Sequence, residues 1–172
     1  MHVGVTFRRG NGEVELFCYA DASYNCYSDG RSHMGYTFSL GENSGSFFAQ
    51  SRKTKLTALS STEAEYITLC EATRDAVWLR RLLEDIGFPQ REPTLIYQDN
   101  ESTIKNVYGH RSHQASKHVN PKFHYTGEQL VKKTIRIEHM DTKSMIADQL
   151  TKSLHRDDHS RLANQLLGHH DE

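Results

Sequence analysis

Apolar residues recur along this chain with two different periods, and the switches between them outline its elements. Val3 to Phe7, the turn Arg9-Gly10-Asn11-Gly12, and Val14 to Ala20 predict a β-hairpin with an Asn-Gly turn. Apart from Glu15, the second strand is apolar at both alternating sets of positions, the mark of a strand covered on two faces. Asp21 is expected to end it. Residues 22 to 33 are polar and read as a loop. Tyr36, Phe38 and Leu40 alternate with Thr37 and Ser39 in a second clear strand, Gly41 to Gly45 turns the chain, and Ser46 to Ser51 returns.

The period then lengthens. Between Ser46 and Ile86 there is neither glycine nor proline. Ser61 or Thr62 can cap a helix there, with Glu65 as the capping-box partner. Leu79, Leu82, Leu83 and Ile86 keep helical spacing until Gly87 and Pro89 stop it, so two helices or one bent helix are expected. Thr94 to Gln98 predicts a short strand ended by Asp99-Asn100, which can also cap the following helix. A histidine-rich, basic connection over 109–121 leads into a helix from about Lys122 to Lys132. Ile135 and Ile137 mark the last strand. Ile146, Leu150 and Leu154 suggest a further helix, and Leu162, Leu166 and Leu167 a terminal one. Strands and helices in this order predict a mixed α/β class, with a partly parallel sheet flanked by helices.

Composition narrows the possibilities little. The 172 residues suffice for one domain with its own core. No apolar run approaches the length of a membrane span, and the first residues carry no secretory pattern. A strand-like pattern so close to Met1 suggests a fragment of something longer. The three cysteines lack metal or disulfide spacing and read as free thiols, and the cluster His110, His113, His118 and His124 lacks zinc-finger spacing. Net charge is −1, but its distribution is uneven. Acids dominate from Glu63 to Glu101, whereas Thr103 to Ile137 holds seven bases and one acid. Such polarity suits cations at one end and phosphates at the other.

Four carboxylates deserve singling out on physical grounds. Asp21 and Asp99 each follow an apolar strand, where residues of an open α/β sheet line the binding crevice. Glu65 falls within about 40° of Leu69, Ala72 and Ala76 around a helix, so it lies on the core-facing stripe, while Glu63 and Glu71 point away. A carboxylate there is costly unless paired or bound to metal. Asp148 falls in the first turn of its expected helix, off the apolar stripe. It need not be buried, and serves equally well as an acid near a helix N-terminus. Should all four converge, their hard oxygens suit Mg²⁺ or Mn²⁺, and two such ions act on phosphodiesters.

Five segments then stand in a familiar order. They are Ala58-Leu59-Ser60-Ser61-Thr62-Glu63-Ala64-Glu65-Tyr66, Trp78-Leu79-Arg80-Arg81-Leu82-Leu83, Tyr97-Gln98-Asp99-Asn100, Lys117-His118-Val119 and Ala147-Asp148-Gln149-Leu150-Thr151-Lys152. Together they resemble the ribonuclease H domain of copia-type LTR retrotransposon Pol polyproteins, over about Phe7 to Leu154. The resemblance implies a ribonuclease H-like fold, a five-stranded mixed sheet flanked by helices. It implies a catalytic and metal-binding quartet of Asp21, Glu65, Asp99 and Asp148 holding two Mg²⁺, with Mn²⁺ able to substitute. The implied reaction is endonucleolytic hydrolysis of the RNA strand of RNA/DNA hybrids during reverse transcription.

By the same resemblance, residues 1–12 would be the tail of an upstream reverse-transcriptase connection, 13–156 the ribonuclease H domain with its first strand at Glu13 to Asp21, and 157–172 a C-terminal helix or tail. Partners would be the hybrid and a covalently linked reverse transcriptase, in the cytoplasmic virus-like particle of the element. Ser23, Asn100, Lys105, Arg111, Lys117 and Lys122 are the expected nucleic-acid contacts. His139 or His118 is a candidate auxiliary group, although His139 also reads as the end of the last strand. Pro121 departs from the family pattern and blurs the start of its helix. A DNA nuclease of the same fold, or a catalytically silent hybrid-binding scaffold, are the competing readings.

Overall fold

The computed structural model describes residues 4–7, 14–110 and 121–169. Its elements are β1 (Leu16–Ser23), β2 (His33–Leu40), β3 (Ser46–Lys53), α1 (Ser61–Asp85), β4 (Thr94–Gln98), α2 (Glu101–His110), α3 (Pro121–Val131), β5 (Ile135–His139) and α4 (Arg156–Leu166). Two short 3₁₀ turns, Thr142–Ser144 and Ile146–Leu150, lie between β5 and α4. The five strands form one sheet in the order β3-β2-β1-β4-β5. β1 pairs antiparallel with β2 and parallel with β4, and β4 pairs parallel with β5. This is the mixed sheet expected from the order of elements.

The doubly apolar β1 is the middle strand, as its pattern required. Its Leu16, Cys18 and Ala20 pack in the larger core with Leu69, Ala72, Ala76, Leu79 and Leu83 of α1. Its Phe17 and Tyr19 face the other way, against Leu95, Tyr97, Met145, Ile146 and Ala147. One strand therefore holds two layers in register, the long helix on one face and the 3₁₀ turn on the other.

Helix α1 is a single helix of 25 residues. Its cap is Ser60, not Ser61 or Thr62: Ser60 Oγ accepts from the Glu63 amide at 3.1 Å, and Glu63 reaches back to the Leu59 amide at 2.7 Å. The capping-box partner is thus Glu63, and Glu65 is released from that duty. Gly87, at φ +92°, ends the helix, with the Phe88 amide donating to Leu83 O and the Gly87 amide to Glu84 O. Proline needs no amide partner in a first helical turn, and Pro121 accordingly begins α3.

Other expectations need correction. Residues 4–7 form no strand, and the Asn-Gly turn lies outside the described residues. The Thr6 amide donates instead to Leu167 O, while Thr6 O accepts from the Gly45 amide, so this segment bridges the start of β3 and the end of α4. β1 starts at Leu16 rather than Glu13 and runs past Asp21 to Ser23, because β2 begins early enough to pair with it there. No α-helix follows the Ile146/Leu150/Leu154 spacing; the turn is 3₁₀ and stops at Leu150. The terminal helix expected around Leu162, Leu166 and Leu167 is α4, where Leu162 is buried and its carbonyl accepts from Gln149 Nε2 at 2.9 Å. Among the described residues no helix is long and apolar enough to cross a membrane.

Candidate active site

Asp21 and Asp99 meet because their strands run side by side. β1 and β4 are parallel with Tyr19 opposite Tyr97, and these rings stack at 5.1 Å. Two residues further on, the same face of the sheet presents Asp21 from β1 and Asp99 just past β4. On its other edge β1 is antiparallel to β2. The two carboxylates therefore sit where the sheet changes from antiparallel to parallel, at the carboxyl ends of β1 and β4.

The third carboxylate, Asp148, arrives from the 3₁₀ turn laid across that face. Gly35 of β2, opposite Asp21 in the register, lets the turn approach: a Cβ there would lie 2.7 Å from Leu150 Cβ and Thr151 Cγ2. Asp21, Asp99 and Asp148 each offer an oxygen such that all three lie within 4.8 Å of one another. Asp148 is 7% exposed, contrary to the expectation that it need not be buried. The helix assumed in that expectation does not form, so its phase carried no information.

Glu65 comes from α1, on the opposite face. It is 5% exposed and accepts hydrogen bonds from the Ala22 amide and, at 3.3 Å, from Gln98 Nε2. Gln98 is itself fully buried, and its Oε1 accepts from the Asn100 amide at 3.0 Å. One side chain thus orients Glu65 and shapes the turn that carries Asp99. Burial drives the Glu65 carboxyl well above its usual range, helped by the charges of Asp21 and Asp99. Asp148 is pushed up to about 6, first by burial and then by Asp21.

Three supporting groups escaped the sequence reading as functional residues. Lys152 Nζ lies 3.1 Å from Asp21 Oδ1 and 2.9 Å from Asp148 Oδ1. Thr151 Oγ1 donates to Asp21 Oδ2, and Thr142 Oγ1 donates to Asp99 Oδ2 at 2.9 Å. Burial alone would lower the Lys152 pKa, but Asp21 and Asp148 outweigh it and raise it. The signal was present in Asp148-Gln149-Leu150-Thr151-Lys152, but a lysine four residues after an acid reads as a surface ion pair.

The structure distributes the remaining candidates as follows. Ser23 ends β1, half-buried. Asn100 caps α2, accepting from the Thr103 amide at 2.9 Å. Lys105 is exposed and pairs with Glu101 at 2.8 Å. His139 is exposed and ends β5 opposite Gln98, so it leaves the sheet at the same end as Asp99. It is not in the three-aspartate group. Arg111, Lys117 and His118 lie outside the described residues, and Lys122 is placed in the first turn of α3 by its backbone alone.

All-carboxylate oxygen donors on three separate elements, with a fourth acid beside them, fit a hard divalent cation. That an ammonium already bridges two of them shows that a cation is accommodated there.

The mixed sheet in the order β3-β2-β1-β4-β5, flanked by helices, is a ribonuclease H-like fold, and the acid cluster sits at its switch point. The fold of LC11-RNase H1, isolated from compost, matches with a TM-score of 0.59 over 80% of this chain and 92% of that one, at 17% identity. A foamy viral protease-reverse transcriptase in complex with dsDNA matches at 0.56 over 84% and 96%, at 21% identity. No protein-family model matches. In sequence, the chain is 32% identical over 162 residues to the retrovirus-related Pol polyprotein from transposon TNT 1-94 of Nicotiana tabacum, covering 94% of this chain and 12% of that protein. It is 31% identical over 154 residues to the corresponding polyprotein from transposon RE2 of Arabidopsis thaliana, covering 89% and 10%. The chain is thus homologous to a segment, about a tenth of the length, of the Pol polyproteins of plant copia-type transposons.

Proposed function

We propose that this chain is a ribonuclease H, hydrolysing the RNA strand of RNA/DNA hybrids within a retrotransposon Pol polyprotein. The observation that carries the reading is the convergence of Asp21, Asp99 and Asp148 within 4.8 Å, with Glu65 behind them, on a ribonuclease H-like sheet. Asp21, Asp99 and Asp148 would hold Mg²⁺, with Mn²⁺ as a substitute, and Glu65 would complete the set. Two bound ions would activate the attacking water and stabilise the leaving oxygen. The chain's own part is placement. Ala22 and Gln98 hold Glu65 in one orientation, Thr142 fixes Asp99, and the turn packed on Gly35 presents Asp148.

Hybrid would be told from duplex DNA by contacts to 2′-hydroxyls and by groove shape rather than by sequence. In the parent polyprotein a linked reverse transcriptase would share the grip on the substrate, within the element's cytoplasmic particle. The test is incubation of the chain with end-labelled RNA, alone, in hybrid with DNA, and beside duplex DNA, with Mg²⁺ or with EDTA. Metal-dependent cleavage of RNA in the hybrid alone is expected. Cleavage of duplex DNA would point to a DNA nuclease on this fold, and binding without cleavage to a silent copy; either overturns the proposal.

A further inference from the structure

Lys152 is placed as no ordinary surface lysine is. Its ammonium contacts Asp21 Oδ1 at 3.1 Å and Asp148 Oδ1 at 2.9 Å, and these carboxylates are almost wholly buried. The other oxygen of Asp21 accepts from Thr151. Both oxygens of Asp21 are therefore engaged by donors from one short segment. A divalent ion binds carboxylate oxygens at about 2.0–2.6 Å, closer than an ammonium, and an ammonium on the same oxygens competes for their lone pairs and repels the ion. Lys152 also follows Asp148 by four residues, so its backbone cannot leave, yet a third of its side chain is open to solvent.

We propose that Lys152 is a tethered placeholder cation: it clamps Asp21 to Asp148 in the metal-free protein and must swing aside when a divalent ion binds. The inference rests on the metal site proposed above and adds a competitor to it. Lys152 keeps the acid cluster from flying apart before metal arrives, and in doing so weakens metal binding. Once displaced it remains at the mouth of the site, a positioning residue with its charge still close to the ligands.

The experiment compares the chain with its Lys152→Met and Lys152→Arg variants. Mn²⁺ and Mg²⁺ affinities are measured by calorimetric titration, and melting temperatures are recorded in EDTA and in saturating metal. Removing a unit like charge at contact distance should tighten metal binding by about tenfold or more. Lys152→Met should also melt lower in EDTA, with the gap to the parent chain closing in metal. Lys152→Arg should bind metal no tighter than the parent. A merely structural ion pair predicts instead a lower melting temperature under both conditions with metal affinity unchanged, and that result overturns the inference. Should Lys152→Met fail to fold, the parent chain still decides. A slowly exchanging lysine ammonium resonance, assigned through Lys152→Arg, should be seen in EDTA and lost on Mg²⁺ saturation; its persistence refutes displacement. Absence of metal binding to every variant would remove the metal site itself, whereas equal affinities would remove only the placeholder.

Discussion

Two glutamates a helical half-turn apart divide the work at the start of α1. Glu63 closes the cap on Leu59 and stays half-buried at the surface, whereas Glu65 is buried against Ala22 and Gln98. Glu65→Gln should reduce hybrid cleavage by at least about a hundredfold, the upper range for groups that only orient metal ligands. Glu63→Gln keeps an acceptor for the cap and should leave the rate within about twofold. Initial rates of the two purified variants check this, and the reverse ranking would refute the assignment. The distinction was legible in the sequence because helical phase alone separates positions 63 and 65. Asp148 shows the limit of helical phase, because the residues around it form a 3₁₀ turn and not the helix their spacing implies. Its folded pKa of about 6 lies above the ordinary carboxylate value of about 3.9, so the fold favours the protonated form. That contribution to stability is fully present below about pH 4 and is lost as pH rises through about 6. Glu65, also raised, acts in the same direction. In EDTA, the melting temperature should therefore fall between pH 5 and pH 7.5, and fall less in Asp148→Asn. An equal fall in both proteins would show that Asp148 does not titrate there.

Among the elements, the decisive contact is a 3₁₀ turn resting on a strand with a glycine beneath it. Gly35→Ala would set a methyl group 2.7 Å from Leu150 Cβ and Thr151 Cγ2, so the turn must lift. Such overpacking costs about 1–3 kcal/mol. Because that turn carries Asp148, Gly35→Ala should lower metal affinity and cleavage rate more than the stability loss explains. Calorimetry beside thermal melting measures both, and unchanged metal affinity would show that the turn adjusts freely. The long elements were readable because burial imposes a period: both faces of β1 and the stripe of α1 declared themselves. The turn was not readable, since Ile146 and Leu150 at a spacing of four suit a helix, and only the packing beneath them selects 3₁₀. The opening hairpin misled for a similar reason. Alternation promised a strand at 3–7, but the hydrogen bonds of Thr6 go to Gly45 and Leu167.

At the scale of the whole molecule, α4 ties the 3₁₀ turn that carries Asp148 to the segment at residues 4–7. Leu162 is buried, Gln149 holds the Leu162 carbonyl, and Leu167 binds Thr6. A chain ending at residue 155 should keep the sheet and α1 but hold Asp148 loosely. Far-UV circular dichroism should change by little more than the lost helix, while cleavage falls at least about tenfold, as for lost supporting shells. Full activity of the shortened chain would show that α4 is dispensable to the site. The polarised charge, by contrast, was legible only as a tendency, because composition does not say which bases are tied up; Lys105 is paired with Glu101. The clamp between Lys152 and Asp21 spans 131 positions of the chain. Closing so long a loop costs more chain entropy than forming the local contacts of α1 or of the β1–β2 hairpin. The acid cluster should therefore form late in folding, because β1, β2, β3 and α1 all lie within residues 16–85 whereas Asp148 and Lys152 reach the site from more than sixty residues further along. On slow heating, the same order should run backwards, with cleavage fading several degrees before the circular dichroism of the sheet and helices.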